Sequence, residues 1–171
     1  MNNLKFVEYS SVFLEEVRKT YNYYVEHTTI SFDLEPYTPE QMTQLIMPLS
    51  SLYRTYVILA NDAYAGYMLI TQHKKKPAFN VTGEITIYLE PSCTGKGIGR
   101  PSLAFIEDVA RELNFHSLIA TICSENEGSV RMFTKLGYEK VSHYKEVGYK
   151  FERWLDIVVY QKILKNADRS W

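Results

Sequence analysis

The segment Gly83–Arg100, GEITIYLEPSCTGKGIGR, constrains the fold more than any other part of the chain. It reads as a β-strand carrying Glu84 near its start, followed by a Gly-x-Gly-x-Gly turn at Gly95, Gly97 and Gly99 and then by an amphipathic helix. A glycine turn that opens a helix exposes unpaired backbone N–H groups at the positive end of the helix dipole, a setting that suits a phosphate or pyrophosphate. A carboxylate on the preceding strand then stands where the far end of a bound molecule would react. The layout predicts an enzyme that uses a phosphate-bearing cofactor. Three glycines in five residues also serve as a purely structural turn, and the segment alone leaves both readings open.

The glycine turn fits neither common nucleotide motif. In a P-loop, Ser or Thr follows Gly-Lys; here Gly97 follows Lys96, and Glu90 stands where the first glycine would be. The dinucleotide fingerprint places Arg100 at its third glycine, and the turn lies mid-chain after several strands instead of opening a βαβ unit.

The rest of the chain predicts an α/β (α+β) architecture around one mixed sheet. Leu4–Tyr9 alternates as a strand, and Val12, Val17, Tyr21, Tyr24 and Val25 give helical spacing over Ser11–His27. Thr28–Tyr37 reads as a loop. Thr38-Pro39-Glu40-Gln41 is a helix start, with Thr38 as cap and Pro39 in the first turn, and that helix is expected to run to about Ser50. Strands follow at Tyr53–Asn61, Ala65–His73 and Gly83–Glu90, with a turn at Asn61–Tyr64 and a basic loop at Lys74–Pro77. A helix over Ile98–Asn114 has one apolar face, then come a strand at Ser117–Cys123 and a helix at Glu125–Leu136 closed by Gly137. Two last strands, Tyr138–Glu146 and Trp154–Ile163, are expected to flank a turn containing Gly148. The order βααβββαβαββ, without repeats or linkers, predicts a single domain over residues 1–171.

Charge narrows the partners. With a net charge of -1 the chain carries no field to gather nucleic acid or an anionic membrane. No apolar run reaches membrane-spanning length, and neither a secretory leader nor a disulfide framework is legible, so a reduced, cytoplasmic setting is expected. His27, His73, His116 and His143 show no ligand spacing, and no metal is expected. The 14 tyrosines suit half-buried strands as readily as a pocket.

Asn126-Glu-Gly-Ser129-Val-Arg-Met-Phe133-Thr-Lys-Leu-Gly137-Tyr138 resembles the Asn-x-x-Ser/Ala…Lys-x-Gly-Phe/Tyr segment of the GNAT acetyltransferases. The turn Thr94-Gly95-Lys96-Gly97-Ile98-Gly99 resembles their Gln/Arg-x-x-Gly-x-Gly/Ala pyrophosphate loop. Thr20–Asp33, Pro36–Glu40 and Gly148–Asp156 look like the phosphinothricin and methionine sulfoximine acetyltransferase branch. The resemblance implies a GNAT fold with a sheet of about six or seven strands and about four helices, a homodimer, and acetyl-CoA as co-substrate. It implies transfer of acetyl to the α-amine of a small amino-acid analogue, with another small amine or a protein amine as the alternative.

It also assigns roles. Glu84 is implied as the base that takes a proton from the amine, although the residue alone is equally a solvent-facing glutamate at a strand start. Backbone groups of Ile87, Tyr88 and Leu89 are implied to meet the pantetheine arm at a splayed strand edge. Thr94–Arg100, with Lys96 and Arg100 adding charge, would wrap the pyrophosphate. Asn126 and Ser129 would hold the cofactor from the facing helix start, where Asn126 is equally a plain N-cap. For the acceptor, the resemblance points to Lys74, Lys75 and Lys76 for its carboxylate and to Val81 and Thr82 beside its amine. Phe32 and Tyr88 serve either as pocket walls or as core. Two positions depart from the family pattern: Thr94 replaces Gln/Arg, and Phe133 replaces the tyrosine many members use as general acid. A phenyl ring donates no proton, which disfavours a tyrosine-dependent mechanism and leaves a non-catalytic acyl-CoA-binding module as a rival reading.

Overall fold

Alternation along the central strands sorts the apolar side chains onto two faces, and each face is covered by helices. In the computed structural model, which describes residues 3–164, Val57, Tyr67 and Leu69 point to one side and Ile58, Met68 and Ile70 to the other. The strands are β1 (Leu4–Glu8), β2 (Arg54–Ala60), β3 (Ala63–Gln72), β4 (Thr82–Leu89), β5 (Ser117–Cys123), β6 (Glu139–Lys150) and β7 (Arg153–Ile163). They form one sheet in the order β1-β2-β3-β4-β5-β7-β6, antiparallel except for the β4–β5 pair. Helices α1 (Leu14–His27) and α2 (Pro39–Ile46) cover the first face with Val17, Tyr21, Val25, Met42 and Ile46. Helix α3 (Gly99–Glu112) covers the second with Leu103, Ile106 and Ala110 and with Ile98 at its N-cap, joined by Phe133 of α4 (Glu127–Lys135).

The expected element order is the observed one, and several local readings hold in detail. The α2 start carries a full capping box: Thr38 Oγ1 accepts from Gln41 N at 3.3 Å and Gln41 Oε1 accepts from Thr38 N at 2.9 Å. Asn61 and Asp62, at φ 53° and 65°, make the two-residue turn between β2 and β3.

Three expectations are corrected. Helix α2 stops at Ile46, well short of Ser50, because Met47 precedes Pro48 and is driven to ψ 127°. Ser11–Phe13 is a 3₁₀ turn, and α1 proper begins at Leu14. Gly148 is not in a turn. It lies within β6 opposite Leu155, and the chain reverses at Phe151 and Glu152, both with positive φ. The glycine answers to Phe32 instead, since a Cβ at 148 would stand 3.3 Å from Phe32 Cδ1.

Candidate active site

Strand β4 changes partner halfway along. Thr82, Gly83 and Glu84 pair with Ser117, Leu118 and Ile119 of β5, and there the pairing stops. From Ile85 to Leu89 the strand keeps β3 on one side but leaves β5, whose Ala120–Cys123 pairs only with β7. The two strands splay, and the β4 edge beyond Glu84 presents its backbone to a cleft of about 800 Å³.

The cleft gathers most of the expected cofactor residues. Its walls include Ile87, Tyr88 and Leu89 from β4, Thr94, Gly95, Gly97, Ile98, Gly99 and Arg100 from the glycine turn, and Asn126 and Ser129 from the start of α4. Lys96 is exposed on the turn outside this lining. Gly95 and Gly97 sit at φ 72° and 79°, the left-handed region that glycine enters without strain, with nothing within 4 Å of where a Cβ would be. The first intrahelical bond of α3 is Ser102 N to Ile98 O, so the amides of the preceding turn have no acceptor within the helix. Pro101 sits in this first turn, where it removes no intrahelical donor. Asn126 caps α4, its Oδ1 accepting from Ser129 N at 3.2 Å, and it also lines the cleft.

Tyr88 combines wall and core. Its ring stacks on Tyr67 at 5.6 Å and meets Tyr21 and Tyr24 at 5.4 and 5.2 Å, and burial pushes its hydroxyl pKa above the usual tyrosine value. Phe133 is packed in the core, edge-on to Tyr138 at 4.9 Å, and lies outside the cleft lining. The cleft holds other hydroxyls. Tyr24 Oη donates to the Leu89 carbonyl at 2.7 Å, and burial pushes its pKa up to about 12.

Glu84 sits where the strands part. Its side chain is 28% exposed; Thr121 Oγ1 donates to Oε1 at 2.7 Å, and His73 Nδ1 lies 3.3 Å from Oε2. Of the expected acceptor residues, Lys74, Lys75, Lys76, Val81 and Thr82 occupy the opposite end of β4 from the glycine turn, Phe32 lies against Gly148, and none of these lines the cleft. Lys74, Lys75 and Lys76 are exposed between β3 and β4, with Lys74 Nζ 5.2 Å over the Phe79 ring. Val81 and Thr82 are half-buried at the strand start, where the Val81 carbonyl accepts from His116 N at 2.8 Å.

These features agree with known proteins. A profile for the acetyltransferase (GNAT) domain matches residues 14–159. The chain belongs to the GNAT acetyltransferase family. Among its GNAT relatives, the phosphinothricin N-acetyltransferase of Streptomyces coelicolor is 35% identical over 157 residues, 88% of this chain and 91% of that protein. The L-methionine sulfoximine/L-methionine sulfone acetyltransferase of Salmonella typhimurium is 34% identical over 109 residues, 64% of each. A GNAT superfamily phosphinothricin acetyltransferase from Sinorhizobium meliloti, in complex with AcCoA, superposes with a TM-score of 0.89 at 25% identity, covering 94% of this chain and 88% of that one. The GNAT fold expected from the motifs is therefore the fold of the chain.

Some lining residues escaped the sequence reading. Arg131 and Lys135 add positive charge to the cleft wall from α4, spaced four apart on one helical face, and Arg131 is paired with Glu127 at 2.8 Å. Helical spacing from Gly128, three residues before Arg131 and seven before Lys135, would have found them. No comparable sequence pattern points to His73 or Thr121, because only strand register brings them to Glu84.

Proposed function

We propose that this chain transfers an acetyl group from acetyl-CoA to the α-amine of a small amino-acid analogue, with methionine sulfoximine, methionine sulfone and phosphinothricin as the leading acceptors and Glu84 as general base. One observation carries the reading: an unpaired strand edge runs from a glycine-turn anion cradle to a single half-exposed carboxylate. The pyrophosphate of the cofactor would rest on the Thr94–Arg100 turn and the α3 N-terminus, with Arg100, Arg131 and Lys135 around it. The pantetheine arm would add to the free edge at Ile87–Leu89 as an extra strand, bringing the thioester toward Glu84.

An aliphatic ammonium near neutral pH has no lone pair to attack with. Glu84 takes its proton, directly or through a water, and the freed nitrogen attacks the thioester carbon. A backbone N–H near Tyr88 would polarise the thioester carbonyl and steady the oxyanion. The C–S bond then breaks and CoA leaves as its thiolate, whose modest basicity needs no obligatory acid at position 133, and the nitrogen passes its second proton to the thiolate or to solvent to leave the neutral amide. Lys74, Lys75 and Lys76 would hold the acceptor's carboxylate, with Val81 and Thr82 beside its amine. The names of the relatives from Streptomyces coelicolor and Salmonella typhimurium support this acceptor class.

Assembly as a homodimer of single-domain chains is part of the same proposal. It rests on the exposed Val141, Tyr144, Tyr149, Phe151 and Trp154 of the β6–β7 hairpin, a concentration of apolar surface uncommon on an isolated chain. Both described cysteines are free thiols, which suits a reducing cytoplasm. Among the described residues, no helix is long and apolar enough to cross a membrane.

The test follows CoA thiol release from acetyl-CoA across a panel of amines, comparing the native chain with Glu84→Gln. Release with one of the three analogues, lost on substitution, supports class, acceptor and base together. Release unaffected by the substitution removes Glu84 as base. Cofactor binding without turnover on any amine would establish an acyl-CoA-binding module instead. Sedimentation at micromolar concentration giving a 19.9 kDa particle would overturn the dimer.

A further inference from the structure

We infer that His73 and Thr121 form a two-sided clamp that fixes the plane of the Glu84 carboxylate, with His73 as a positioning residue. The inference rests on the reading of Glu84 as base. Register explains how three separated residues meet. Glu84 stands opposite Thr71 of β3 and beside Ile119 of β5, and His73 and Thr121 each lie two residues further on, hence on the same face of the sheet. Thr121 Oγ1 reaches Oε1 at 2.7 Å, while His73 Nδ1 lies 3.3 Å from Oε2. Each carboxylate oxygen has one partner, and the group stays 28% exposed, so lone pairs remain for an incoming ammonium.

The chemistry of the two partners is complementary. An ionised carboxylate has no proton to give, so a neutral His73 facing it carries its proton on Nδ1 and donates. That bond orients the carboxylate without adding a positive charge beside the base. The Thr121 hydroxyl both donates and accepts. It donates to the ionised carboxylate, and it rotates to accept once Oε1 has taken the proton of the ammonium. Both states of the base are thus hydrogen-bonded, and the carboxylate need not swing between them. His73 is itself backed by Phe79, whose ring meets the imidazole at 6.4 Å and lies under Lys74 Nζ at 5.2 Å. The basic loop proposed to hold the acceptor's carboxylate is therefore packed against the group that aims the base.

The test measures kcat and both KM values for His73→Ala, His73→Asn and Thr121→Val, each alone and combined with Glu84→Gln, with melting curves to confirm folding. The expected result is a loss of about 10- to 100-fold in kcat for His73→Ala and Thr121→Val, with the KM for acetyl-CoA little changed. Asn at position 73, whose amide N–H can replace Nδ1–H, should restore most of the rate. In the Glu84→Gln background neither further substitution should cost more, because residues acting as one unit are non-additive. If Glu84→Gln abolishes turnover while a folded His73→Ala keeps kcat within about twofold, the clamp is overturned and the base reading stands. A loss in His73→Ala that recurs undiminished in the Glu84→Gln background also overturns it. If Glu84→Gln is itself fully active, the base reading fails first, and a separate loss at His73 would then assign the histidine some other role.

Discussion

The two halves of β4 share a partner on one side and differ completely on the other. Up to Glu84 the strand is held between β3 and β5, and its side chains are fixed by register. From Ile85 onward it keeps β3 but loses β5, and its free backbone edge faces the cleft. In the proposed function the closed half acts through one side chain, whose placement depends on His73 just past β3 and Thr121 of β5. The open half acts through main-chain groups, whose placement depends on strand shape and hardly at all on residue identity. In the proposed function, catalytic precision and cofactor capture thereby fall to different physical means within one strand of eight residues.

The largest expected effect breaks the closed half. Glu84→Gln should lower kcat by about 10²- to 10⁴-fold with methionine sulfone as acceptor, while the KM for acetyl-CoA changes less than about threefold. A large rise in that KM would mean the two halves are not separable. Next, Gly66→Ala should damage the open half through its β3 support. A Cβ there would lie 2.3 Å from the Tyr88 carbonyl oxygen and 2.8 Å from Leu89 Cα, both backbone atoms that cannot step aside. Overpacking of this kind costs about 1–3 kcal/mol, read as a fall in Tm of several degrees, together with weaker cofactor binding. An unchanged Tm would show that the strand edge yields freely. A smaller effect is expected for Gly97→Ala, where space is open but φ is 79°. The left-handed conformation costs about 1–2 kcal/mol, so the KM for acetyl-CoA should rise by roughly an order of magnitude with kcat at saturation preserved. The smallest is Thr94→Arg, which restores a residue of the family pattern and should tighten acetyl-CoA a few-fold by one charge-assisted contact. A loss of affinity there would mean that Thr94 serves the loop itself, through its hydroxyl bond to the Pro91 carbonyl.

The same division explains what could be read from the sequence. The open half announces itself in residue types: glycines that need positive φ, a helix that starts on them, and Asn126 with Ser129 at the next helix start. Such features are local, and together with the family resemblance they located about half of the cleft lining, while Tyr23, Tyr24, Thr28 and Ile30, which reach it from α1 and the loop after it, carry no such mark. Of the closed half only Glu84 is legible, as the carboxylate of the strand before the turn. His73 and Thr121 are distant from it in sequence and reach it only because β3, β4 and β5 align in one register. The premature end of α2 was legible in Met47-Pro48, where the proline constrains its predecessor, and apolar spacing past it misled. Gly148 reads as a turn residue by type. Its actual reason, room for the Phe32 ring, depends on a contact across more than a hundred residues.

The outer strand β6 is irregular: between the Tyr144–Ile157 and Gly148–Leu155 pairs, three residues of β6 face the single residue Asp156. Asp156 Oδ1 accepts from Glu146 N at 2.8 Å, and Glu146 is turned to φ 54°. Such an interruption, which holds Lys145 and follows Lys140, denies an approaching strand a continuous row of donors and acceptors. The hairpin can therefore display aromatic surface without inviting the sheets of neighbouring molecules to fuse edge to edge, which guards a crowded solution of this enzyme against fibrous aggregation.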